Sequence, residues 1–127
     1  MKICVPGIKF GVAFCEASGP CLIRHQGNDS ELETLATDYA NKIGAGHSLV
    51  ILMKNAYPLN VQPRLKDVPE VVNVYCATEN AIEVIIAESD LGRAIFGVID
   101  GLKPKGIEKE RDVEERMKFL RNIGYKF

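Results

Sequence analysis

Between Ile8 and Asp29 the chain sets a glutamate, a serine, two cysteines, an arginine, a histidine and an Asn-Asp pair around one tight turn. An apolar run ending at Cys15 reads as a strand that delivers Glu16, and Ser18-Gly19-Pro20 then turns the chain back into Cys21-Leu22-Ile23. The returning strand delivers Arg24 and His25. Gly27 and Asn28-Asp29 open a helix directly afterwards, so an acid, a base and a helix N-terminus are expected to converge on one rim.

His25 and His47 are the two histidines, and each stands where a strand meets a glycine-bearing loop. An imidazole there can act as a base, a metal ligand or a phosphoryl acceptor, against the plainer role of bonding a backbone carbonyl. Glu16 and Asp100 each follow an apolar strand, where a carboxylate can accept both hydroxyls of a ribose or hold Mg²⁺ through water; the plainer role is capping backbone amides in a turn. Arg24 and Arg93 are the guanidinium groups placed to meet a phosphate, with a solvated surface arginine as the alternative. In Lys54-Asn55-Ala56-Tyr57-Pro58-Leu59-Asn60, the amides of Asn55 and Asn60 can read the edge of a purine while Tyr57 stacks on its face, although Asn60 also suits a helix cap.

Asp29, Glu31 and Glu33 crowd the first turn of the expected helix and weaken its positive end as an anion site, which favours a nucleoside or monophosphate over a triphosphate. GxxxxGK[ST] is absent, and Gly11, Gly19 and Gly27 do not make a dinucleotide fingerprint. Neither HExxH nor a cysteine-histidine zinc set occurs, so no metal ligands are assigned and no organic cofactor is expected. Cys15 or Cys21 could serve as a nucleophile through His25, but cysteines facing each other across a hairpin more often fill core space.

The elements that must position these groups follow from pattern. The first hairpin spans about residues 8–16 and 21–25. Leu32, Leu35, Ala36, Tyr39, Ala40 and Ile43 recur at helical spacing, with Asn28 and Glu31 as a capping box and Gly44 as the stop. Leu49 to Met53 is apolar on both parities and predicts a central strand covered on both faces. A short helix capped by Asn60, with Pro63 in its first turn, should end before Pro69, and Val71 to Cys76 reads as a further strand. Ile82 to Ala87 and Ala94 to Ile99 predict a hairpin joined through Ser89-Asp90-Leu91-Gly92, and Asp100-Gly101 turns out of it. Val113, Met117, Leu120 and Ile123 form one stripe of a last helix that Gly124 ends. The seven residues from Met1 to Gly7 are too few for an element of their own. The expected order is ββαβαβββα: one α/β (mixed α+β) domain over residues 1–127, with a mixed β-sheet flanked by helices.

At 127 residues the chain is long enough for a real core. With 16 basic and 17 acidic residues, no global field draws it to nucleic acid or an anionic membrane, and a small ligand fits better. Cys4, Cys15, Cys21 and Cys76 lack CxxC spacing, nothing resembles a signal peptide, and no apolar run could span a bilayer; free thiols in a reducing cytoplasm are expected.

Phe14-Cys15-Glu16-Ala17-Ser18-Gly19, Arg24-His25 with Gly27-Asn28-Asp29, Gly44-Ala45-Gly46-His47-Ser48, Asn55 to Asn60, Gly92-Arg93 and Val98-Ile99-Asp100-Gly101 together closely resemble the adenosine-specific kinase family, from about Val5 to Phe127. That resemblance implies a small α/β protein that binds adenosine or AMP in preference to ADP or ATP, forms a homo-oligomer with a trimer as the expected state, and has a phosphorylated histidine in its chemistry. It also implies ligand contacts at Glu16, Ser18, His25, Asn28, Asp29, His47, Asn55, Asn60, Arg93 and Asp100. In one respect the chain departs from the family, whose members usually carry further residues before Val5, including a Gln-Ser-His-Phe-Ile-Lys-Thr stretch with another histidine. If that histidine is the phosphorylated one, this chain binds ligand without turnover, and the absent strand and helix leave an apolar surface for another subunit. Two functions are therefore expected: phosphotransfer through His47 or His25, or a non-catalytic adenosine- and AMP-binding or sensing module. A scaffold subunit with purely structural polar loops ranks third.

Overall fold

The computed structural model describes residues 5–124; the expectations for Met1 to Cys4 and for the last residues of the tail lie outside that range. The first hairpin forms as β1 (Lys9–Cys15) and β2 (Ile23–Gly27), followed by α1 (Ser30–Ile43) and β3 (Leu49–Lys54). Strand β1 lies between β2 and β3 and is antiparallel to both. The central strand is therefore β1, and β3, which its double-sided apolar pattern places in the middle, is an edge strand of this sheet. Its residues from Val50 to Met53 are half-buried because α1 covers one face and little of the described chain covers the other.

Helix α1 lies on the sheet along Leu32, Ala36 and Ala40, one residue per turn on a single stripe. Ala36 and Ala40 meet Ala13 and Cys15 of β1 in a core of small side chains, and the Cys15 thiol donates to the Ala40 carbonyl at 3.2 Å. Small residues let helix and strand approach closely. At Gly11 a Cβ would run into the backbone of Leu32 and Glu33, so a side chain there would push the helix off the sheet. Gly44 stops α1 as expected, in the left-handed conformation (φ 61°) with its N–H on the Ala40 carbonyl at 2.9 Å.

The start of α1 differs from the expected capping box. Asp29 is the N-cap and accepts the Leu32 N–H at 3.0 Å, while Asn28 turns away to the edge of β1. Helix α2 (Pro58–Lys66) begins earlier than anticipated, with Tyr57 as N-cap, Pro58 at the first position and Asn60 one turn in. Asn60 still caps, reaching back to accept the Tyr57 N–H at 2.8 Å.

Val71 to Cys76 forms no strand, because no described segment lies alongside to exchange ladder bonds with it. The second hairpin forms as expected from β4 (Ile82–Glu88) and β5 (Arg93–Asp100), but as a separate two-stranded antiparallel ribbon with a bulge between Ile85 and Ile86. Helix α3 (Glu110–Asn122) closes the order ββαβαββα, one strand short of the expectation and with two antiparallel sheets instead of one mixed sheet. The class stands: a single mixed α+β domain whose small sheets are flanked by three helices. None of these helices is long and apolar enough to cross a membrane.

Packing is uneven. Helices α2 and α3 and the β4–β5 ribbon make at most marginal contact with the layer formed by α1 and β1–β3. Phe96 on the ribbon is 80% exposed. The chain exposes 9834 Å² in all, against roughly 6,700 Å² for a compact monomer of its mass.

Candidate functional site

Side chains on β1 alternate between the two faces of the sheet, and that alternation separates the two histidines. Ala13 and Cys15 face α1, and His25, which pairs with Ala13 across the ladder, shares that face. Its Nδ1 lies 2.6 Å from Glu33 Oε1 on α1. Phe14 faces the other way and carries the ring of His47, parallel to within 7° at a centroid distance of 5.8 Å. His25 and His47 therefore occupy opposite faces and cannot act on one atom within a protomer.

His47 belongs to a rim at the Cys15 end of the sheet. The loop after α1 places it with a left-handed backbone (φ 58°), uncommon for a residue with a side chain, and pins it there by its N–H on the Cys15 carbonyl at 2.7 Å. Gly46 makes that approach possible, since a Cβ would stand 2.7 Å from the Cβ of Ala17. Glu16 leaves the strand on the same side as Phe14. Its Oε2 accepts from Arg24 Nε at 2.9 Å and from the Leu22 N–H at 3.2 Å. Those two bonds, the Arg24 bond first, hold the Glu16 carboxyl below its ordinary value, and the nearby Arg24 and His47 charges add to the effect. Ser18 is exposed in the turn beside them, with its carbonyl accepting the Cys21 N–H at 3.2 Å.

Arg93 reaches this rim from the other hairpin. Its Nη1 donates to the Lys42 carbonyl at 2.9 Å, its Nε to Glu88, and its backbone bridges to Ala45 in the loop that carries His47. Asp100, expected beside it, stands at the far end of β5, about 23 Å away at a strand rise of ~3.3 Å per residue. There it accepts from Asn80 Nδ2 at 3.0 Å and lies next to Cys76, whose thiol is pushed above its ordinary value by burial first and by Asp100 second.

The remaining expected contacts gather at the Lys9 end of the sheet, about 20 Å from the Glu16 end at the same rise. Asn28 spans the β1 edge, accepting from the Phe10 N–H at 2.8 Å and donating to the Ile8 carbonyl at 2.9 Å. Asp29 caps α1. Asn55, left-handed at φ 63°, donates to the Gly7 carbonyl at 3.2 Å, and Asn60 holds the start of α2. Tyr57 is half exposed on that loop. The acids of the α1 first turn are paired: Asp29 with Lys9 at 4.0 Å, Glu31 with Lys54 at 3.6 Å and Glu33 with His25. The anticipated acidic rim is thus largely neutralised and lies away from His47.

The single converging rim expected from sequence is therefore two clusters, Glu16, Ser18, Arg24 and His47 with Arg93 behind, and Asn28, Asp29, Asn55, Tyr57 and Asn60, with His25 and Asp100 apart from both. Phe14 and Glu33 were missed as partners of the histidines. Nothing in their spacing marks them, because one reads as a core strand residue and the other as a helix acid. Among the described residues no group of three or more His, Cys, Asp or Glu side chains is arranged to hold a metal. Glu16 is already engaged by Arg24 and Asp100 by Asn80.

No curated protein matches the sequence. The crystal structure of the PH1918 protein from Pyrococcus horikoshii OT3 superposes with a TM-score of 0.92 at 52% identity, covering 99% of this chain and 77% of that one. The family described as adenosine-specific kinase matches residues 1–126, most of the chain and both clusters. The chain belongs to the adenosine-specific kinase family.

Proposed function

We propose that the rim of Glu16, Ser18, Arg24 and His47 binds adenosine or AMP and that His47 takes part in phosphoryl transfer there. The family supplies adenosine as the ligand. The observation that carries the placement is His47 itself, pinned by its backbone on Cys15, backed by Phe14 and set beside the residue that follows Cys15, Glu16, whose carboxylate Arg24 orients. Groups so fixed lose little entropy when a ligand arrives.

In this reading Glu16 accepts the ribose hydroxyls, Arg24 meets the 5′ substituent, and the purine lies over the apolar ground beside Phe14. An imidazole nitrogen of His47 attacks the phosphorus of a donor as the bond to the leaving oxygen breaks, and the nucleoside hydroxyl then takes the phosphoryl group and restores the free ring. Arg24 is the rim's one close guanidinium and is already half satisfied by Glu16, so there is little positive charge for a triphosphate. This shortage of positive charge, and not the paired acids of α1, favours adenosine and AMP over ATP. A Mg²⁺ ion serving this chemistry would enter on the donor's phosphates, with Glu16 as the rim's carboxylate. The free Cys15, Cys21 and Cys76 thiols fit a reducing cytoplasm.

The protein acts as a homo-oligomer, and a trimer is the state proposed. Surface well beyond a compact monomer's and a ribbon with Ile82, Phe96 and Ile99 exposed support assembly, since an isolated two-stranded ribbon does not stay folded in water.

Calorimetry with adenosine, AMP and ATP, on samples sized by light scattering, tests this. Adenosine and AMP should bind more tightly than ATP, and His47→Gln should keep the fold and most of the adenosine affinity while losing phosphate incorporation. Tighter ATP binding would reject the charge argument, and a 14 kDa monomer would reject the assembly. A second reading rests on the His25–Glu33 pair, which orients one ring nitrogen by a carboxylate and leaves the other for attack. Loss of incorporation in His25→Gln but not in His47→Gln would move the chemistry there. Binding without incorporation in the unaltered protein would leave a sensing module.

A further inference from the structure

Arg93 has the residue type of a phosphate ligand, yet its guanidinium is spent on the scaffold. Nη1 donates to the carbonyl of Lys42, one of the last carbonyls of α1 and without a partner inside the helix. Nε is held by Glu88 on the neighbouring strand, which fixes the plane of the fork. The Arg93 backbone bridges to Ala45, and its Cδ and Nη1 lie within contact distance, 3.5 Å, of where a Cβ on Gly44 would be. All but the Glu88 bond converge on the end of α1 and the short loop that leads to His47. From Ala45 the link is direct: its carbonyl accepts both the Ser48 N–H at 3.2 Å and the Ser48 hydroxyl at 2.6 Å, closing the turn that holds His47 left-handed. Gly46 sits against Ala17, next to Glu16.

We infer that Arg93 is a positioning residue for His47, a latch through which the β4–β5 ribbon clamps the end of α1 and sets the loop that presents the imidazole to the rim. Glu88 aims the latch. The charge of Arg93 is directed to a helix terminus and its own strand neighbour, not to the ligand. A lysine cannot replace it, because one ammonium cannot keep the Glu88 and Lys42 bonds in a fixed plane. Displacing the ribbon would tilt His47 away from Phe14 without touching any group that meets the nucleoside. The ligand half of the test rests on the adenosine reading above; the half on the free protein does not.

The test compares Arg93→Ala, Arg93→Lys and the milder Glu88→Gln with the unaltered protein. In ligand-free protein, the ring protons of His47, assigned by their loss in His47→Gln, should move away from the position that stacking on Phe14 gives them, in all three variants and least in Glu88→Gln. Phosphate incorporation should then fall by about tenfold in Arg93→Ala, while adenosine and AMP affinities change little and keep their ratio, as in His47→Gln. Unmoved His47 signals in folded Arg93 variants would overturn the latch. So would loss of AMP affinity with adenosine affinity intact, the mark of direct phosphate contact, or full rescue by Arg93→Lys. If the unaltered protein binds neither nucleoside, the adenosine reading fails while the His47 signals still decide the latch, and Glu88→Gln decides it if the Arg93 variants do not fold.

Discussion

The two ends of the three-stranded sheet carry comparable sets of polar side chains and use them oppositely. At the Lys9 end, Asn28, Asp29, Asn55 and Asn60 all hydrogen-bond to backbone groups: the edge of β1, the first turn of α1, the Gly7 carbonyl and the start of α2. At the Cys15 end, Glu16 bonds to the Arg24 side chain more closely than to the Leu22 N–H, and His47 stacks on a ring with its imidazole bonded to no other side chain among the described residues. A side chain that satisfies a backbone group is needed before any ligand arrives and is costly to redirect. An exposed ion pair is worth little by itself and can be exchanged for ligand contacts at small cost. The same residue types thus brace the backbone at one end and at the other leave the exchangeable contacts on which the proposed adenosine site rests.

The hardest way to break the comparison is at the close contact that defines the structural end. Gly11→Ala would drive a methyl into the backbone of Leu32 and Glu33, and should cost about 3 kcal/mol of stability by chemical denaturation. Wild-type stability would mean that α1 does not rest on β1 as closely as this core requires. Asn28→Ala comes next. Losing both of its bonds strips an N–H and a carbonyl at the β1 edge, for about 1–2 kcal/mol of stability, with adenosine affinity unchanged in the folded fraction. A stable Asn28→Ala protein that no longer binds adenosine would put the site at the Lys9 end.

At the Cys15 end the expected pattern reverses. Glu16→Gln should leave stability nearly unchanged, as the loss of an exposed pair does. Adenosine affinity measured by calorimetry should fall by about tenfold, since an amide loses the charge that accepts two ribose hydroxyls. A large stability loss with affinity intact would make Glu16 one more structural side chain.

How much of this was legible in the sequence depended on the range of the interaction. Helix α1 and both hairpins follow from periodicity and turn residues, which are local, and Gly44 stopped α1 where its conformational freedom says it should. Val71 to Cys76 has strand composition, but a strand needs a neighbour, and composition cannot supply one. Leu49 to Met53 reads as central because both of its faces are apolar, and that pattern fits a strand awaiting cover as well as one already covered. Strand-end placement grouped Glu16, Arg24 and His47, three side chains that the structure brings together. It also drew Asn28, Asp29, Asn55, Asn60 and Asp100 into the same cluster, because a strand has two ends and the pattern does not say which polar residue shares an end with which. Register separates them: His25 opposite Ala13 and Arg24 opposite Phe14 put neighbouring residues on opposite faces.

The smallest expected effect is also the most local reading of the Cys15 end. The Glu16 carboxyl is held below its ordinary value of 4.5 chiefly by the Arg24 hydrogen bond and next by the Leu22 N–H. A carboxyl depressed in the folded state stabilises the protein above its unfolded value, and that contribution fades as the pH falls through the folded value. Acidification from about pH 5 should therefore cost the unaltered protein slightly more stability than Arg24→Ala, in which the larger cause of the depression is gone. Carbon-13 titration of the Glu16 carboxyl gives the direct check. Its midpoint should lie below 4.5 in the unaltered protein and rise in Arg24→Ala, yet stay somewhat low because the Leu22 N–H still donates. Bound AMP should lower it less than adenosine does if the monophosphate draws Arg24 away from the carboxylate, since a guanidinium shared with phosphate holds Glu16 less firmly. A midpoint indifferent to Arg24→Ala would show that the pair does not form in solution, and the Cys15 end would then lack the exchangeable contact that sets it apart from the other.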